Sequence, residues 1–176
     1  MSTNRQNYEL WYAKILRDLS GNGDAGFAIL LISLPLLERY LREKSGVYEG
    51  SLNSNFYLKF RQIFPAIQDD ATAEKFWHVY RNGLLHQVTL SRKNRSGLSM
   101  PDAWLSSEVA SVTVDAQGDF WVHPAKFAEI VLSTIEGDFT MFEGGSSPNH
   151  PFPVVSGISN GTGAVPPYDI PPTGVP

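Results

Sequence analysis

Arg81, Asn82 and His86 fall within one short stretch, Arg81-Asn82-Gly83-Leu84-Leu85-His86. Arginine carries a permanent planar cation whose paired N–H donors match a phosphate. Histidine changes charge near neutral pH, so it can take a proton or give one. Asparagine offers a donor and an acceptor, enough to orient either neighbour. Together these residue types suit holding a phosphate and moving a proton beside it. No other segment carries a comparable set. Gly21-Asn22-Gly23 and Gly144-Gly145 lack the strand, helix and lysine of a phosphate loop, and there is no G-x-S-x-G nucleophile. A kinase, dehydrogenase or hydrolase of those types is therefore unsupported.

The element that must position these residues is a helix from Ala71 to about Leu90, capped by Asp69 or Asp70, with Glu74 near its positive N-terminal end. At about 100° per residue, Phe76, Trp77, Val79, Tyr80 and Leu84 share one broad apolar face. Glu74, His78, Arg81, Asn82 and His86 fall opposite, with Leu85 in their midst. Asn82 and His86 lie on one line. Arg81 and His86 diverge by about 140° on such a wheel. Either Arg81 reaches round with its long side chain, or two copies of the helix meet and each site draws on both. Leu85 amid polar residues fits the second arrangement.

Before this helix, Tyr8, Trp11, Tyr12, Ile15, Leu16 and Leu19 recur at helical spacing, which predicts a first helix over Arg5 to Leu19. Asp24 is placed to cap a second helix to about Lys44, nearly all apolar in its first half. Pro35 should kink it and Gly46 should stop it. A loop from Val47 to Asn55 leads to a short helix over Phe56 to Phe64, ended by Pro65. After a polar connection from Ser91 to Pro101 the pattern changes. Val109 to Val114 and Phe120 to Val122 read as strands joined by a turn at Asp115 to Asp119. Pro124 then opens a last helix whose apolar face is Phe127, Ile130, Val131 and Ile135, closed by Gly137. The expected fold is mainly α: a helical bundle over 1–142 with a small C-terminal β-hairpin (about 109–123) and a last helix (about 124–136). From 143 to 176 proline and glycine dominate, and no hydrophobic period is sustained, so this part reads as a flexible tail. Its Pro148 and Pro151 match a P-x-x-P spacing.

The chain has 176 residues, 42% of them hydrophobic, which is enough for one core. Its formal net charge of −4 means that nucleic acid would need a local basic patch. The absence of cysteine excludes disulfides, thiolate metal sites and cysteine nucleophiles, and suits a cytoplasmic location. The longest apolar run, Ala25 to Leu37, is broken by Ser33 and Pro35 and is too short for a bilayer, and no signal-peptide pattern opens the chain. No membrane association is expected.

Several further residues invite a role. His78 shares the polar face with His86 and reads either as a surface histidine or as a further lining of the same cleft. His78, Asn82 and His86 form a stripe that Glu74 could join, but no recognised metal motif is present, so no metal and no cofactor are expected. Arg92, Lys93 and Arg95 follow the motif helix; they either hold a phosphate backbone or complement the helix dipole. Glu38, Arg39, Arg42 and Glu43 read as solvated ion pairs, and His123 as a structural residue at a strand-to-helix junction.

The Arg81…His86 pair with a polar Asn82 directly after the arginine, late in a small helical bundle, resembles the signature of the HEPN superfamily. The resemblance covers about Arg5 to Leu90; the hairpin and the tail lie outside it. It implies a HEPN-like helical fold and metal-independent RNA cleavage in a dimer whose two motifs share a cleft. His86 would be the acid or base at the ribose 2′-OH and Arg81 the phosphate clamp. Asn82 would orient either group, with His78, Arg92, Lys93 and Arg95 along the RNA. Implied partners are RNA, a second copy and, for a toxin or defence effector, a cognate antitoxin. A non-catalytic dimeric module that binds RNA, a nucleotide or a protein remains the alternative. A third option is an interaction protein that works through its proline-rich tail.

Overall fold

The computed structural model describes residues 4–47, 50–84 and 100–139. Helix α1 runs through Asn4–Tyr8, a wider π-helical stretch at Glu9–Ala13, and Lys14–Ser20. Tyr8, Ala13 and Leu16 are its buried side. The Asn22 side chain accepts the Asp24 N–H at 2.9 Å and caps a short 3-10 turn at Gly23–Ala25. Helix α2, Gly26–Ser45, follows. The cap is thus Asn22 rather than Asp24, because the 3-10 turn inserts between cap and helix.

Helix α2 is the central element, touching α1 and the helices that follow. Ile29, Leu30, Leu34, Leu37 and Leu41 bury its length. The helix continues past Pro35. Gly46 stops it at φ +69°, a backbone state that costs glycine little, and the Val47 N–H closes on the Arg42 carbonyl at 3.0 Å.

Helix α3, Ser54–Ile63, is capped by Asn53, which accepts the Phe56 N–H at 3.0 Å. Helix α4 begins at Asp70–Phe76, where Asp69 accepts the Thr72 N–H at 2.8 Å. It widens into a π-helical stretch at Trp77–Asn82 and is described to residue 84.

Three strands follow: β1 (Ala103–Leu105), β2 (Val112–Val114) and β3 (Phe120–Val122). Their order is β1-β3-β2, with β1 parallel and β2 antiparallel to β3. The hairpin expected from the sequence is present, but its first strand starts at Val112 rather than Val109. The unexpected β1 makes the sheet mixed. In the turn, Asp115 Oδ1 accepts the N–H groups of Gln117 and Asp119, and Gly118 takes φ +84°. Helix α5, Pro124–Gly137, has proline in its first turn; His123 Nδ1 accepts the Lys126 N–H at 3.4 Å.

The core is rich in aromatic rings. Phe60 meets Phe64 and Phe76 at 5.3 and 5.2 Å, Phe76 meets Phe120 at 5.5 Å, and Phe64 stacks on Phe127 at 4.8 Å. One cluster therefore joins α3, α4, β3 and α5, each pair adding about 0.5–1.5 kcal/mol beyond simple burial. Buried Tyr80 of α4 reaches the carbonyls of Trp104 and Phe120 at 2.9 and 3.2 Å, tying that helix to two strands. Gly26 lets α2 approach the sheet: a Cβ there would lie 3.1 Å from Leu105 and 3.2 Å from Pro124. The protein is mainly helical, with five helices and one small sheet among the described residues. None of those helices is long and apolar enough to cross a membrane.

Candidate functional site

The described part of the motif sits on the π-helical stretch of α4. Trp77, Val79 and Tyr80 are buried there and Leu84 just beyond it, as their spacing predicts. They hold one side of the helix in the aromatic core and leave His78, Arg81 and Asn82 half-buried on the other. A π ladder pairs residue i with i+5, so exact directions within Trp77–Asn82 differ from a wheel drawn at about 100° per residue, while the buried and half-buried sides are the ones that wheel assigns. The divergence of about 140° drawn for residues five apart on that wheel presumed an α-helix throughout. Leu85, His86, Arg92, Lys93 and Arg95 lie outside the described residues, as do Pro148 and Pro151.

Arg81 is held from a neighbouring helix. Glu38 of α2 is buried, and its two carboxylate oxygens serve different arginines. Oε1 accepts from Arg42 Nε at 2.9 Å and Oε2 accepts from Arg81 Nε at 2.6 Å. Arg81 Nη1 also donates to Asn82 Oδ1 at 3.1 Å. The Nη groups of Arg42 extend to the Gly50 carbonyl at 3.5 Å and so brace the loop before α3. The sequence reading of Glu38 and Arg42 as solvated pairs is corrected: the Glu38 side chain is only 10% exposed. The signal was present in the pattern. Glu38 occupies the helical stripe of Leu34, Leu37 and Leu41, where a carboxylate requires a partner.

Glu38, Arg42, His78, Arg81 and Asn82 line one groove of about 690 Å³, walled by Tyr57, Trp77 and Met100. Glu74 and Lys75 stand at its edge. Three cations against two carboxylates give the groove a net positive charge, in a chain whose formal total is −4. Burial, with the Glu74 and Asp70 carboxylates adding to it, pushes the Tyr57 phenol up to about 12, so it stays a neutral hydroxyl at pH 7. Among the described residues no three histidine, aspartate or glutamate side chains converge as a metal-binding group.

His123 has a different environment. It lines a cleft of about 450 Å³ between the start of α2, the end of β1 and the start of α5. One ring nitrogen accepts the helix N–H that it caps, which bears out the structural role read from its position.

Fold and site together define a mainly helical domain with a three-stranded mixed sheet and a positively charged groove over its fourth helix. No family model, no curated protein and no solved structure matches the chain.

Proposed function

We propose that the chain is a metal-independent endoribonuclease of the HEPN type. The observation that supports this reading is the convergence of Arg81, Asn82 and His78 on one positively charged groove. In the proposed reaction His86 takes the proton of a ribose 2′-OH, and the 2′-oxygen attacks the adjacent phosphorus. The bond to the 5′-oxygen breaks, and that oxygen leaves with a proton supplied by an imidazolium. Arg81 meets the charge that builds on the phosphoryl oxygens, where a fixed cation is most useful. Asn82 orients Arg81. The products are a 2′,3′-cyclic phosphate and a 5′-OH, and DNA is inert because it lacks the nucleophile. Arg92, Lys93 and Arg95 extend the grip along the RNA. A dimer that pairs two motifs, and a role as toxin or defence effector with a cognate antitoxin, belong to the same reading.

The ion pair of Arg81 with buried Glu38 favours a second reading, a dimeric module that binds RNA, a nucleotide or a protein partner without cleaving. One experiment separates the two: RNA cleavage in EDTA by wild type, Arg81→Ala and His86→Ala, on generic RNA and on a cellular RNA pool. Cleavage by wild type that both substitutions abolish is the expected result. Intact RNA with folded wild type overturns the enzyme reading in favour of the binding module.

A further inference from the structure

We propose that Glu38 is the positioning residue for Arg81, fixing its guanidinium so that a phosphodiester in the groove meets a preset cation. The proposal rests on the phosphate-clamp reading of Arg81. Its evidence is the arrangement around one carboxylate. Oε2 holds Arg81 at Nε, and Oε1 is held by Arg42. The bond at Nε and the bond from Nη1 to Asn82 together fix the guanidinium plane.

Glu38 is itself fixed. It lies on the core side of the central helix, and Arg42 one turn later secures its second oxygen. Arg81 is thereby tied to α2 across 43 positions of sequence. A long side chain ordered in this way surrenders its rotamer freedom during folding rather than during binding.

The test uses the full chain, cleavable RNA and the same sequence with 2′-O-methyl riboses, which binds but cannot react. Glu38→Gln keeps the side-chain length but loses the charge and one of the two bonds. Positioning predicts an unchanged far-ultraviolet spectrum, at least about tenfold weaker binding of the methylated RNA, and kcat/KM lowered by at least as much, toward the hundredfold typical of a misplaced group. In an Arg81→Lys background, which has no Nε–H, the same change should have no further effect. Wild-type kcat/KM in folded Glu38→Gln overturns the proposal, and so does an equal loss in both backgrounds. If Glu38→Gln does not fold, Glu38→Asp replaces it with the same expectations. If wild type binds the methylated RNA but cleaves none, the ribonuclease reading alone falls and affinity becomes the readout. At least about tenfold weaker binding by Glu38→Gln then supports positioning, and equal binding overturns it. If wild type neither binds nor cleaves, the clamp reading and the positioning role fall together.

Discussion

Two ion clusters in this protein invert each other. In one, Arg17 of α1 stands between two carboxylates, pairing with Glu9 and, at 2.7 Å, with Glu136 of α5. In the other, Glu38 stands between Arg42 and Arg81. The first is wet: Arg17 is 49% exposed and Glu136 37%. The second is nearly dry, with Glu38 at 10% and both arginines at 25%. Similar bonds therefore have different consequences. Water can replace the partners of Arg17, whereas a missing Glu38 would strand two cations against the core. Burial sets the importance of each cluster, and the buried one lines the groove.

The sharpest way to break this contrast is Glu38→Ala, expected to lower stability by about 3–5 kcal/mol in urea unfolding, because like charges would remain without their counterion. A loss no larger than that of an exposed pair would make the two clusters equivalent. Tyr80→Phe sets a neutral scale between them. It removes the hydroxyl that reaches the Trp104 and Phe120 carbonyls, and about 1–3 kcal/mol should go with it. Arg17→Ala should cost less than about 1 kcal/mol, and its difference from wild type should shrink in about 1 M salt, while that of Glu38→Ala persists.

The smallest effect should fade in acid. Asp115 is held below its ordinary value of 3.8, first by the Trp121 indole N–H and then by backbone N–H groups of the turn. A lowered folded value means that this contribution is present above the ordinary value and fades as pH falls through the folded one. Asp115→Asn should therefore lower the melting temperature slightly at neutral pH and by less and less as pH falls below about 4, which flattens the acid limb of the profile. An unchanged acid limb would show that the turn does not contribute to it.

Much of the frame was legible in the residues. Asp69, Gly46 and Pro124 mark their boundaries by local chemistry that needs no tertiary partner, and the period of Phe127, Val131 and Ile135 names the buried side of α5. Less was legible where the backbone departs from a regular period. Helical spacing cannot announce the π stretch at Trp77–Asn82, although it does assign the buried side of that stretch. Strand β1 is only three residues long and presents exposed Trp104 between half-buried neighbours, too short for alternation to show. Of the site, Arg81, Asn82 and His78 stood out by residue type. Glu38 was visible only as a charge on an apolar stripe, and its partner lay 43 positions away.

The stacking of Phe64 on Phe127 also bears on the order of events during synthesis. Phe60, Phe64 and Phe76 emerge from the ribosome well before the ring that covers them, and α1 waits still longer for Glu136. A nascent chain that has made α3 and α4 thus carries an uncovered aromatic surface until α5 is complete. Closing such distant contacts is slower than zipping neighbouring helices. In that interval the growing chain is a natural client for chaperones, and two unfinished chains could meet through the same rings.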